Sequence, residues 1–90
     1  MKPTENPWSW NFYGHILCVD QPAGVGFSFN NNTEQVNSTK DASKDFVQFM
    51  TNFYKNNPIF DLKKNPLYLA GEGYAGHYIP VFAEKILTSR

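Results

Sequence analysis

The sequence holds a single cysteine, Cys18, in 90 residues. An internal disulfide and a cysteine-rich zinc site are therefore both excluded. Charge of one sign is not in excess either, because eight Lys and Arg balance eight Asp and Glu. That balance argues against nucleic acid or an anionic membrane as a partner. Long hydrophobic runs are missing. The apolar run at residues 16–19 is far too short to span a bilayer. Residues 1–10 contain no apolar stretch of the kind that marks a secretory leader, so no signal peptide is expected. What remains is the composition of folded protein, 41% hydrophobic and 17% aromatic with 18% charged. Disorder would need fewer apolar residues and more net charge. The length allows one small domain, residues 1–90. Leu17 and Val19 flank Cys18, which predicts a buried thiol rather than a reactive one.

Pro3, Pro7 and Gly14 punctuate the first segment, with Trp8, Trp10, Phe12 and Tyr13 between them. This reads as an irregular aromatic segment that packs on something. Residues 15–20 form a short, nearly continuous apolar run ending in Asp20. Such a run suits a strand buried on both faces. Pro22, Gly24 and Gly26 then mark a loop. The stretch from Asn30 to Thr39 is polar. It carries two N-x-[ST] sequons, with Asn31 and Asn37 as candidate glycosylation sites. Two sequons in one polar loop favour a chain built for the secretory pathway.

Ser38 or Thr39 can cap a helix. Ala42, Phe46, Phe49, Met50 and Phe53 follow at spacings of three and four, an apolar helical stripe. Asp41 and Asp45 lie near its start, where the helix dipole favours acid. Asn56, Asn57 and Pro58 stop it. After Pro66, residues 67–70 read as a second short strand. A glycine-rich turn over 71–76 follows, and Tyr78, Ile79, Phe82, Ala83, Ile86 and Leu87 continue at helical spacing. Pro80 is placed near the first turn, where proline is tolerated. Alternation of strand and helix predicts an α/β unit, β–α–β–α, with parallel strands and a right-handed crossover. Two parallel strands cannot cover both faces with only two helices and a polar loop.

Residues 71–76 match G-x-G-x-x-G between a predicted strand and a predicted helix, the context of a dinucleotide fingerprint. Three features oppose that reading. The fingerprint wants an acid about twenty residues on, and only fourteen residues follow Gly76. Glu72 would set a negative charge beside a pyrophosphate. Tyr74 is bulky where backbone must approach the ligand. The competing reading is a strand–turn–helix nucleophile elbow. Its small flanking residues would be Gly71, Ala75 and Gly76, because strand and helix nearly touch. Its apex would be Gly73, which has no side chain with which to attack.

Three motifs in order resemble the serine carboxypeptidases of the α/β-hydrolase superfamily. Asn6-Pro7-Trp8-Ser9-Trp10-Asn11 is similar to the family's N-P-[YW]-S-W-N. Residues 16–28, with Asp20, Pro22, Gly26, Phe27 and Ser28, are similar to its strand and D-x-P-x-x-x-G-[FY]-S. Residues 69–80 are similar to A-G-E-S-Y-A-G-H-Y-[VI]-P. The resemblance runs over roughly residues 5–88. It implies a serine-type hydrolase acting on the C-terminus of peptides, with no cofactor. It also implies that Gly73 stands where the family has its nucleophilic serine. The family's catalytic aspartate and histidine lie well beyond position 90, and its glycine-rich oxyanion loop lies upstream of Met1.

The resemblance further implies that the Tyr74 backbone N–H donates to an oxyanion and that Glu72 helps recognise the substrate carboxylate. A second, protonated acid usually shares that task, since like charges must share a proton. The family is secretory, lysosomal, vacuolar or extracellular. These readings give an internal piece of a carboxypeptidase, inactive as a peptidase, whose partners would be a peptide C-terminus and a missing remainder of the fold. A pseudoenzyme peptide-binding module and an acyltransferase fragment are the alternatives. His77 is four residues past Gly73 and is not the family's base; a structural hydrogen-bonding role is expected for it. His15 has no acid or cysteine at ligand spacing, and no metal site is expected.

Overall fold

The computed structural model describes residues 1–31 and 35–89. Its elements are a 3₁₀ turn at Trp10–Phe12 and two α-helices, α1 at Thr39–Asn56 and α2 at Ala75–Thr88. Among the described residues no helix is long and apolar enough to cross a membrane.

Helix α1 begins where the sequence places its cap. Ser38 has extended backbone, and its hydroxyl accepts the Asp41 N–H at 3.1 Å. The same hydroxyl donates to Asp41 Oδ2 at 2.7 Å. The hydroxyl thus satisfies one of the donors that the first turn leaves without partners, and its own proton ties down the Asp41 carboxylate. Lys44 Nζ lies 3.1 Å from Asp41 Oδ1, one turn along. At the far end, the Asn57 side chain donates to the Phe53 carbonyl at 2.8 Å, and Pro58 prevents continuation. Helix α2 runs through Pro80. That residue lies past the first turn, so the Gly76 carbonyl loses its intrahelical donor.

The two helices pack on each other through a small core of Ala42, Phe46, Met50 and Phe82. Phe46 and Phe82 stack with ring centroids 4.6 Å apart, and Tyr78 extends the stack along α2. Val19, Val36, Leu69 and Ile86 rest against this cluster from outside. Ser43 is buried among these side chains, and its hydroxyl is satisfied by the Lys40 carbonyl at 2.7 Å. Of the predicted stripe, Phe49 departs: it is exposed, as is Leu87 on α2.

The expected β–α–β–α parallel sheet is not formed. Among the described residues there is no strand. Residues 15–20 and 67–70 carry the apolar composition of buried strands, yet no backbone hydrogen bond joins them. A strand exists only through the ladder it shares with a neighbour, and here neither segment has one. Both instead line one cleft of about 640 Å³, over Phe46, Met50 and Phe82. Ile16 and Leu17 are exposed, and so is Cys18, contrary to its expected burial. The thiol shares the fate of its segment. The aromatic segment stays largely exposed, Trp8 at 86% and Trp10 at 82%, and only its end, Tyr13 and Gly14, borders the cleft.

The loop after Asp20 is well tied. Asp20 Oδ2 accepts the Phe27 N–H at 2.9 Å, and Ser28 Oγ donates to the Asp20 carbonyl at 2.7 Å. Successive turn bonds, Val25 N–H to Pro22 and Ser28 N–H to Val25, fold the chain between them. Gly26 has φ 58°, and a Cβ there would run into the Asp20 carboxylate.

Two outcomes are expected. Ser38→Ala should destabilise α1 by about 1 kcal/mol, the usual loss for a cap, read as reduced helical circular dichroism. The Ser38 hydroxyl, and after it Lys44, holds the Asp41 carboxyl below its ordinary 3.8. A carboxyl lowered in the folded chain stabilises it above the ordinary value, and that contribution is lost as pH falls through the folded value. Helicity should therefore drop on acidification below pH 3.8, and Ser38→Ala should flatten that drop. An unchanged acid limb in Ser38→Ala would contradict the capping assignment.

Candidate functional site

The turn at residues 71–76 connects the second unpaired segment to α2. Its tightness has a definite cause at Gly71. A Cβ there would lie 2.5 Å from the Ala75 Cβ and 3.3 Å from Ile79 Cδ1. The backbone thus approaches the first turn of α2 more closely than any side chain allows. Ala75 is the small residue on the opposing side. Gly76 was expected to share this crowding and does not, since its Cβ position is open.

Gly73 is the apex. Its φ is 62°, in the left-handed region, and nothing lies within 4 Å of where a Cβ would project. The apex is therefore free in space but restricted in backbone. Three turn bonds close around it: Ala75 N–H to the Glu72 carbonyl at 3.1 Å, Gly76 N–H to Gly73 at 3.1 Å, and His77 N–H to Tyr74 at 2.9 Å. No hydrogen bond among the described residues engages the Tyr74 N–H. A free backbone donor next to an open apex is the arrangement that stabilises a developing oxyanion, given a second donor.

The Tyr74 ring packs on His77, with centroids 4.7 Å apart, and edge-on against Tyr78 at 5.0 Å. His77 is exposed, and among the described residues no carboxylate pairs with it. The hydrogen-bonded structural role expected for His77 is replaced by this ring contact. Glu72 is also exposed, and its side chain takes part in no hydrogen bond or ion pair among the described residues. His15 lies edge-on to Phe60, with centroids 5.2 Å apart. Among the described residues no three potential ligand side chains gather as a metal site would require.

Asn37 and Asn31 are both exposed. The rest of the Asn31 sequon lies outside the described residues. Two features escaped the sequence reading. One is the Asp20 clamp on Phe27 and Ser28, for which the spacing from Asp20 to Gly26 was the available signal. The other is Gln21 Oε1, which is buried with no hydrogen-bond partner among the described residues and belongs to a residue that borders the cleft. No local pattern announces a side-chain acceptor left without a donor.

The whole chain, residues 1–90, matches the family model described as serine carboxypeptidase. Carboxypeptidase Y of Saccharomyces cerevisiae is 42% identical over 90 residues, covering 100% of this chain and 17% of the relative. The vacuolar serine-type carboxypeptidase ATG42 of the same yeast is 46% identical over 88 residues, covering 98% of this chain and 16% of the relative. Carboxypeptidase Y of Candida albicans is 43% identical over 88 residues, again 98% and 16%. The chain thus spans about a sixth of the length of the curated relatives it matches. No solved structure matches it. With the match running from the first residue to the last, the chain belongs to the serine carboxypeptidase family.

Proposed function

We propose that this chain carries the nucleophile turn of a serine carboxypeptidase in a catalytically silent form. The observation that carries this reading is Gly73, an apex at φ 62° with open space where a side chain would project. In an acyl-transfer hydrolase a hydroxyl at that place attacks the carbonyl of the last peptide bond. Its proton passes to a base, the tetrahedral intermediate expels the amine, and water then cleaves the acyl-enzyme. Glycine supplies no attacking oxygen. Among the described residues no acid pairs with the nearby imidazole of His77 to orient it. Loss of a nucleophile costs several orders of magnitude in rate.

The binding side of the chemistry is retained in part. The free Tyr74 N–H is a candidate oxyanion donor, and Glu72 is the candidate for recognising a substrate's terminal carboxylate when a second acid shares the proton. A peptide C-terminus is the ligand this pairing suits. The cleft between residues 15–20 and 67–71 suits further carboxypeptidase polypeptide. It contains no charged lining residue, and the orphan Gln21 Oε1 would gain a donor there. A secretory or vacuolar setting agrees with the word vacuolar in one relative's name, and with the sequons at Asn31 and Asn37.

Purified residues 1–90 should hydrolyse no blocked dipeptide or ester above background. Turnover that a serine-directed phosphonate abolishes would overturn the silent reading. Gly73→Ser alone should leave the chain inactive, because a hydroxyl without a base is a weak nucleophile at neutral pH. The same substitution should cost about 1 kcal/mol in stability through its positive φ, with no steric clash added. Turnover in that single variant would make His77 or another group the base.

A further inference from the structure

None of the described residues of the polar stretch before α1 belongs to the turn or lines the cleft. We propose that Asn37 is an N-glycosylation acceptor, and that its glycan stands at the N-terminal end of α1, clear of both. The secretory reading supplies only the cellular setting for this proposal; the acceptor itself is argued from the loop.

Asn37, Ser38 and Thr39 all lie among the described residues, unlike the sequon of Asn31, which runs beyond them. Asn37 is exposed and precedes the cap residue, so its backbone is outside the helix. Among the described residues its side-chain amide takes part in no hydrogen bond, and neither does the Thr39 hydroxyl. The middle residue is different. The Ser38 hydroxyl is committed twice to Asp41, as acceptor and as donor. A sequon needs the first and third side chains and tolerates any middle residue except proline. The helix therefore uses the one position that the acceptor does not.

Other asparagines show the contrast. The Asn57 amide is spent on the Phe53 carbonyl, and the Asn6 carbonyl oxygen accepts the Trp8 N–H. Neither opens a sequon. Asn37 also borders neither the main cleft nor the smaller hollow beside Asp20 and Phe29. A bulky sugar there leaves the apolar surfaces open to further polypeptide. Asn31 stands two residues from Phe29, which lines the smaller hollow.

The transfer is an ordinary substitution at carbon. A C–N bond forms between the Asn37 side-chain nitrogen and the anomeric carbon of a lipid-linked oligosaccharyl diphosphate. The bond from that carbon to the phosphate oxygen breaks. The lipid diphosphate leaves, and the amide gives up one proton.

The full chain, translated behind a cleavable signal into microsomes, tests the acceptor. Protease protection reports entry into the lumen, and endoglycosidase-sensitive mass reports the glycan, so failure of the native route and failure of the acceptor are distinct. In an Asn31→Gln background, protected chains should carry one glycan. Asn37→Gln and Thr39→Ala should each remove it, while Ser38→Ala should keep it. Protected Asn31→Gln chains without a glycan would overturn the proposal, as would a glycan that survives Asn37→Gln.

Discussion

The stacking of Phe46 on Phe82 is the contact on which the rest of the structure depends. Among the described residues it is the centre of a core of four buried apolar side chains, and it joins the two helices. Burying a phenylalanine stabilises by about 1.5–3 kcal/mol, and truncating one in a core costs about 3–5 kcal/mol. Domains as a whole are stable by about 5–15 kcal/mol. A single ring pair is thus a large share of what this chain can muster. Everything else is referred to that pair: Val19 and Leu69 reach the core only at its edge, and the segments that carry them are held by little more. The aromatic groups from Trp8 to Phe29 stay exposed outside it.

The helices were legible in the sequence because their signals are local. A serine three residues before an acid, an apolar stripe at spacings of three and four, and an Asn-Asn-Pro stop describe α1 without reference to any other element. The structure places its ends at Thr39 and Asn56, where those residues stand. Strands are not local in this sense. Residues 15–20 have the right side chains, but their carbonyl and N–H groups need a partner at ladder distance, and the chain provides none. The misplacement of Cys18 follows from the same cause, since its burial depended on that partner.

The turn at 71–76 was legible in part. Its literal G-x-G-x-x-G pattern fitted two kinds of site, and composition could not fully separate them. The structure distinguishes the three glycines by what each must do. Gly71 makes room for Ala75 and Ile79, Gly73 adopts positive φ, and Gly76 is under no steric demand. The family resemblance named Gly73 as the place of interest, and the structure puts it at φ 62° with open space where a side chain would project. The Asp20 clamp was signalled only by the spacing from Asp20 to Gly26, because a carboxylate that caps a loop seven residues away leaves no periodic trace.

Hydrogen exchange, resolved by residue, tests most directly the claim that a helix pair anchored by Phe46 and Phe82 is the ordered centre of this chain. Amides within α1 and α2 that face the stack should exchange slowly, and those of residues 16–20 and 67–70 should exchange as solvent-exposed backbone. Phe82→Ala should abolish the protection of both helices together. Protection of residues 16–20 and 67–70 comparable to that of α1 would contradict the account, because it would require those segments to be paired with each other or with another copy.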